Sequence, residues 1–147
     1  MLTAAMMSAL AVSAQAASAV PDGRSDQWLS REVSGQGTVV SFLSWDFTSV
    51  ITQARCDNGR MTFQYFHEAK DAPSPTDRPL ALLVDDTSYR LEPSVDRMSR
   101  QVYTLSREGV VALTNARNVD LDAPNEMGEP WYMGPSAALV RLAGNCG

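Results

Sequence analysis

The chain contains only two cysteines, and a long stretch of sequence separates them. Cys56 ends a strand-like run, whereas Cys146 lies near the C-terminus in an apolar segment that follows Pro135. If Pro135 opens a helix, one face of that helix carries an apolar stripe that must pack against another element. The stripe consists of Ala138, Leu139, Leu142 and Cys146. The simplest interpretation is a terminal helix joined to a sheet by one disulfide between Cys56 and Cys146.

Neither cysteine has the neighbours that a metal site or a catalytic thiol requires. A metal site needs further ligands close to the cysteine, and the chain contains a single histidine. A catalytic thiol needs a base that activates it, and neither segment suggests one. Two widely separated cysteines in apolar segments are instead typical of a structural disulfide formed in an oxidising compartment. We therefore predict a structural disulfide, no metal site and no cofactor.

Residues 1–19 contain no charged side chain, and small residues dominate their end. An apolar run followed by small-residue sites at 14–16 and 17–19 is the layout of a secretory signal peptide, although no Lys or Arg precedes the run. A membrane anchor and a soluble N-terminal helix are the alternatives. An anchor needs about 20 apolar residues, and polar side chains interrupt this segment. We expect residues 20–147 to form a single globular domain that is periplasmic or secreted, with no stable membrane span after cleavage.

Composition places the chain among ordinary globular proteins. Its hydrophobic fraction is 44% and its charged fraction is 20%. The length of 147 residues suffices for one hydrophobic core. The formal net charge of -5 disfavours binding to nucleic acid or to anionic lipid, because phosphate contacts need basic residues. We therefore expect a protein partner and no nucleic acid.

The strongest local signal is the pair Asn58-Gly59 between two alternating runs, 50–56 and 60–68. This pair is typical of a two-residue hairpin turn, in which both central residues need positive φ. Further strands are predicted at 38–47, 80–84, 88–92, 102–105, 119–121 and 131–133, whereas 28–33 alternates too poorly to count as more than an optional edge strand. Ser106 is predicted to cap the N-terminus of a helix that Asn118 ends in a left-handed conformation. The sequence therefore predicts an α+β fold: an antiparallel sheet of six to eight short strands, two short helices packed on it and one disulfide.

No group of residues in the sequence carries a recognisable catalytic pattern. His67, the single histidine, lies at a strand end, and the sequence contains no nucleophile motif for which it could act as a general base. The acidic residues Asp57, Asp85 and Asp86 follow strands, where Asp is typical of turns, and the calcium-loop spacing is absent. We therefore predict no catalytic residues and a protein that is not an enzyme.

Two surfaces remain as candidates for binding a partner. The first is aromatic and draws on Phe42, Trp45, Phe47, Phe63 and Phe66. Alternation favours the core for Trp45 and Phe63, and leaves Phe42 and Phe66 open between core and exposed surface. The second is the acidic stretch of Asp120, Asp122, Glu126 and Glu129, which is typical of a solvated loop and is a weak candidate for a cation site.

Four segments together resemble small periplasmic proteins of Gram-negative bacteria. They are the strand that ends in Cys56, the strand LLVDD, the segment LSREGVVALTNARNVDLDAP and the ending YMGPSAALVRLAGNC. Over residues 50–146 this layout is similar to the group that includes the type VI secretion-associated accessory protein and the invasion-associated locus B proteins. The resemblance implies a disulfide-bridged envelope protein without an active site.

These observations favour a non-catalytic periplasmic or secreted protein that binds or assists another envelope protein. One alternative is an inhibitor or immunity protein against a periplasmic enzyme, in which the acidic residues 120–129 occupy a basic cleft. Another is a small hydrolase that uses His67 or paired acids.

Overall fold

The structure is a computed structural model, and it describes residues 27–66, 80–124 and 128–146. The strands in these ranges are β1 (Trp28–Val33), β2 (Gly37–Leu43), β3 (Val50–Asp57), β4 (Arg60–Tyr65), β5 (Ala81–Val84), β6 (Thr87–Val95), β7 (Gln101–Leu105), β8 (Val119–Asp122) and β9 (Trp131–Gly134). The helices are α1 (Arg107–Leu113) and α2 (Ala137–Asn145). The predicted combination of an antiparallel sheet, two helices and a disulfide is confirmed. The predicted count of six to eight strands is wrong, because the described residues form nine.

All nine strands belong to one antiparallel sheet in the order β1-β2-β3-β4-β7-β6-β5-β8-β9. Strand β6 turns the corner of this sheet: its first half, up to Arg90, pairs with β5, and its second half, from Leu91, pairs with β7. The sheet curls into a half-barrel, so that its two edge strands approach each other. There the indole N–H of Trp28 on β1 donates a hydrogen bond of 3.0 Å to the carbonyl oxygen of Met133 on β9.

Two hairpins have the turn geometry that their sequences predict. Asn58 and Gly59 have φ angles of 51° and 76°, and Asp85 and Asp86 have φ angles of 46° and 70°. Positive φ at both central residues is the type I′ arrangement, which matches the twist of the flanking strands. The Asp85 carboxylate also accepts hydrogen bonds from backbone N–H groups of the segment after α1, at 2.8 Å from Asn118.

The terminal helix α2 packs its apolar stripe into the core, as its spacing predicts. Leu139, Leu142 and Cys146 are buried. The disulfide between Cys56 on β3 and Cys146 is present. Ser136 caps the helix, because its hydroxyl accepts a hydrogen bond of 3.0 Å from the Leu139 N–H.

Helix α1 begins as predicted but ends earlier. The Ser106 hydroxyl accepts a hydrogen bond of 3.2 Å from the Gly109 N–H, which confirms the N-cap. The helix ends at Leu113, and Thr114 is its C-cap with φ −62°. The prediction that Asn118 ends the helix in a left-handed conformation is wrong, because its N–H is already held by the Asp85 carboxylate.

Two other boundaries also differ from the prediction. The strand predicted at 38–47 ends at Leu43, because the next polar residues bond to one another in a turn. The turn predicted at 93–100 is instead strand up to Val95. Pro93 fits there because this half of β6 pairs only with β7, so the missing N–H breaks no ladder bond.

Some predictions concern residues outside the described ranges. These are the signal peptide at 1–19, the residues His67 and Glu68 at the end of the predicted strand, and the loop at 69–79. Among the residues that the structure does describe, no helix is long and apolar enough to span a membrane.

Candidate binding groove

The loop between β2 and β3, which we call the 44–49 loop, is held by its own polar side chains. The Asp46 Oδ1 atom accepts hydrogen bonds from the Ser44 hydroxyl at 2.6 Å and the Thr48 hydroxyl at 2.8 Å. The Ser44 hydroxyl accepts a further bond of 3.1 Å from the Ser49 N–H. Backbone bonding closes the loop, with the Ser44 N–H 2.8 Å from the Ser49 carbonyl oxygen. Such short-range bonds of Asp, Ser and Thr stabilise a tight turn.

The 44–49 loop presents two aromatic side chains to solvent. Trp45 is 80% exposed, and Phe47 is 40% exposed. Phe47 has a φ of 61°, a left-handed conformation that a bulky residue adopts only where its surroundings hold it. An indole held in water by a braced loop retains a large apolar area for a partner to bury. This is the prediction from alternation that fails most clearly: Trp45 does not lie in the core, whereas Phe63 does.

Trp45 lines a groove of about 390 Å³, which we call the aromatic groove. The groove lies between the 44–49 loop and the start of β9, which contributes Trp131 and Tyr132. Tyr132 is 45% exposed. Gln27, just before β1, also lines the groove, so the site lies where the two edge strands of the half-barrel approach each other. Its volume is near the lower end of the range for small-molecule sites, about 300–1,000 Å³.

The bottom of the aromatic groove is formed by the hydrophobic core. Phe42 lines the groove but is only 2% exposed, and its ring packs at 5.1 Å between centroids against the tilted ring of Trp28. Alternation left Phe42 open between core and exposed surface, and its burial places it in the core beneath the groove. The rigid core below fixes the positions of the groups above it.

Trp131 is held in place by a hydrogen-bond chain that crosses the half-barrel. Its indole N–H donates to the Tyr65 hydroxyl at 3.1 Å, and that hydroxyl donates to the Pro124 carbonyl oxygen at 2.7 Å. Burial raises the pKa of the Tyr65 hydroxyl, and the bond from Trp131 opposes this shift. The phenol therefore stays protonated and keeps its donor role at ordinary pH.

The charge of the groove comes from Asp46. Hydrogen bonds from the Ser44 hydroxyl first, and then from the Thr48 hydroxyl and N–H, lower the pKa of the Asp46 carboxyl below its usual value. The group is therefore a permanent anion at neutral and mildly acidic pH. Among the described lining residues, Asp46 is the only charged one.

The other predicted surface residues have different environments. Phe66 is 47% exposed, and its N–H bonds to the carbonyl oxygen of Ile51, a residue that lines the aromatic groove. The Asp120 carboxylate accepts a bond of 3.1 Å from the Met133 N–H, so it braces the irregular pairing of β8 with β9. Asp122 is half-buried and Glu129 is exposed, whereas Glu126 lies outside the described residues.

The acids considered for catalysis have structural contacts. Asp57 forms an ion pair with Arg97 at 3.0 Å, and Asp85 holds the N–H groups after α1. His67 lies outside the described ranges, so its surroundings are not described. Within the described part of the chain, no three His, Cys, Asp or Glu side chains form a group that could hold a metal ion.

A second groove, of about 350 Å³, lies where the hairpin turns meet. Two of its lining carboxylates are paired, because Asp96 binds the Arg100 guanidinium at 2.8 Å and Asp57 binds Arg97 at 3.0 Å. Burial raises the pKa of Asp96, but hydrogen bonds from the N–H and guanidinium of Arg100 outweigh burial and lower it. Arg55 is buried nearby but does not line this groove. We assign the cluster a structural role, in which it fastens the β6–β7 turn to the neighbouring hairpins.

Sequence reasoning missed Asp46, Trp131 and Tyr132 as members of one site. The polar residues around Trp45 were the available signal, since Ser, Asp, Thr and Ser in six positions favour a turn over a strand. Nothing local in the sequence indicates that this turn meets the start of β9.

Comparison of the chain with protein-family profiles, with curated proteins and with solved structures found no match.

Proposed function

We propose that this chain is a non-catalytic binding protein of the periplasm or the extracellular space, and that it docks an envelope protein at its aromatic groove. The observation that carries the proposal is the exposure of Trp45 on a loop braced by hydrogen bonds. A soluble protein gains nothing in its own stability from a fixed, exposed indole. Tryptophan at the centre of a protein interface is, in contrast, among the side chains that contribute most to affinity.

The neighbourhood of Trp45 supports docking. Phe47 and Tyr132 are exposed beside or within the same groove, and together with Trp45 they form an exposed apolar patch. Patches of this kind are typical of protein interaction sites. The Cys56–Cys146 disulfide is consistent with an oxidising compartment, where envelope proteins meet.

The absence of catalysis is part of the proposal and follows from the roles of the acids. The carboxylates of Asp57, Asp85 and Asp120 are used to hold the fold together. Engagement of Asp120 in the sheet also argues against the alternative in which residues 120–129 fill a basic cleft of an enzyme.

Capture of a partner with matched variants tests the proposal. The tagged wild-type protein, Trp45→Ala and Val111→Ala are used to isolate partners from an envelope extract, and the affinity of the purified partner is then measured. Val111 is the control because it is 60% exposed on α1 and does not line the groove.

We expect one envelope protein whose affinity falls by about thirtyfold or more with Trp45→Ala, as for a buried interface tryptophan. Val111→Ala leaves that affinity unchanged. Equal binding by the wild-type protein and Trp45→Ala, or equal loss by both variants, would refute docking at the aromatic groove. A hydrolytic activity that His67→Ala abolishes, with the fold intact, would favour the hydrolase alternative.

A further inference from the structure

The aromatic groove combines one fixed anion with several aromatic faces. Trp45, Trp131 and Tyr132 supply the rings, and Asp46 supplies the charge. The face of an aromatic ring carries partial negative charge, so rings and carboxylate favour the same kind of ligand. No Lys or Arg is found among the described residues of the lining. The electrostatics of the groove therefore select for a cation.

The carboxylate of Asp46 is arranged to accept bonds from a ligand. Its Oδ1 atom receives the three bonds that hold the 44–49 loop. None of these three bonds falls on the Oδ2 atom, and the carboxylate also interacts with its own backbone N–H. One oxygen thus fixes the loop, while the other keeps acceptor capacity at the edge of the groove.

We propose that the aromatic groove binds an arginine side chain of the partner protein. This inference rests on the docking function proposed above and names the chemistry of the partner at that site. A guanidinium group is planar, stacks on an indole or phenol ring and donates hydrogen bonds to a carboxylate at its edge. The groove volume of about 390 Å³ suits one long side chain and its neighbours better than an extended peptide. The net charge of -5 on the whole chain adds long-range attraction to a basic partner.

Other classes of ligand would use only some of the interactions that the groove offers, which are ring stacking, charge attraction and hydrogen bonding to Asp46. A lysine ammonium has the charge but cannot stack as a plane. A neutral sugar stacks on the same rings but gains nothing from a carboxylate charge. A small organic cation without donors, such as tetramethylammonium, meets the rings but cannot bond to Asp46.

Titration of the labelled protein with small probes separates these cases. The probe is N-acetyl-argininamide, and the signals are the indole N–H resonances of Trp45 and Trp131. The comparison probes are N-acetyl-citrullinamide, which has the shape of arginine without its charge, N-acetyl-lysinamide, tetramethylammonium and methyl glucoside. The protein variants are Asp46→Asn and the control Asp86→Asn. Asparagine keeps the amide oxygen that can replace Oδ1 in the loop, and Asp86 is an exposed carboxylate outside the groove.

We expect saturable shifts of both indole signals with the arginine probe, and binding weakened by about threefold to fivefold with citrulline or in Asp46→Asn, as for an exposed ion pair. The Asp86→Asn protein binds like the wild type, and lysine, tetramethylammonium and the sugar bind more weakly than arginine. The inference is overturned if citrulline, lysine, tetramethylammonium or the sugar binds as tightly as arginine, if Asp46→Asn has no effect, or if no probe gives saturable shifts.

The citrulline comparison uses the wild-type protein, so it holds even if Asp46→Asn disturbs the loop. The capture experiment decides the proposed function independently. If Trp45→Ala abolishes partner binding but the arginine probe does not bind, docking stands and the assignment of arginine falls.

Discussion

Removing the disulfide tests whether α2 is held mainly by the cross-link or by its packing. Cys56 and Cys146 are 90 positions apart. In the chain-entropy description, closing a loop of that size destabilises the unfolded chain by about 4–5 kcal/mol. That is a large share of the total stability of a domain, about 5–15 kcal/mol. With a slope of about 2 kcal/mol per molar urea, the unfolding midpoint falls by about 2 M.

The folded structure itself is expected to survive the loss. Leu139 and Leu142 remain buried, and burial of two leucines holds α2 to the sheet with about 3–6 kcal/mol. The helix has only nine residues and does not persist alone, so its circular dichroism signal reports whether it stays docked.

The measurement compares urea unfolding of the oxidised protein, the reduced protein and the variant Cys56→Ala/Cys146→Ala. The reduced protein keeps both sulfur atoms, so it separates the effect of the cross-link from the effect of lost packing. A difference of less than about 1 kcal/mol between oxidised and reduced protein would refute the loop-closure argument. Loss of helical signal in the reduced protein without urea would refute the argument that packing suffices to dock α2.

Three further predictions concern stability, and urea unfolding checks each of them. The pKa of Asp96 is lower in the folded protein than in the unfolded chain. Its contribution to the free energy of unfolding is therefore complete above the unfolded-state pKa of about 3.9, and it is lost as the pH falls towards the folded-state pKa. Asp96→Asn therefore lowers the free energy of unfolding by about 2–3 kcal/mol at pH 7 and makes stability fall less steeply with decreasing pH. An unchanged dependence of stability on acidic pH contradicts this prediction. Gly109→Ala places a methyl group 2.5 Å from a Leu105 side-chain carbon and destabilises the fold by about 1–3 kcal/mol. Gly144→Ala places its methyl group in open space and stabilises the fold by about 0.5–1 kcal/mol. Equal effects of the two substitutions refute the steric argument. Trp28→Phe removes the bond between the edge strands and costs about 1–2 kcal/mol, with faster hydrogen exchange in β1; unchanged exchange excludes that role.

Local signals in the sequence were enough to predict most of the elements. The Asn58-Gly59 turn, the Ser106 cap and the apolar stripe of α2 depend only on residues within one turn or one helix, and the structure contains all three. The disulfide could be predicted because only one pairing of Cys56 with Cys146 exists in the chain. In these cases, local chemistry and the final fold agree.

The predictions that failed concern a segment whose alternation of apolar and polar residues fits both a strand and a turn. Apolar residues alternate from Leu43 to Phe47, as they do in a strand, but the intervening Ser44 and Asp46 bond to each other and turn the chain. Those short-range bonds compete with the ladder and reverse the placement of Trp45 from core to solvent. The groove was not predictable for a different reason: the 44–49 loop and Trp131 meet only because β6 turns a corner and the sheet curls.

The elements that stabilise the fold and the groups that line the groove lie at opposite ends of the sheet. Cys56 is next to the Asn58-Gly59 turn, whereas Ile51 at the start of β3 lines the groove. At the groove end, the core residue Phe42 and the 44–49 loop position Trp45, but the indole itself contributes almost nothing to the core, since it is exposed. We therefore expect its replacement to weaken the proposed docking without loss of stability, because a surface substitution changes the free energy of unfolding by about 0.5 kcal/mol or less. If the proposed docking holds, a fold with this division can change its partner by changing a few exposed side chains, while the disulfide and the packed helix α2 keep the scaffold intact.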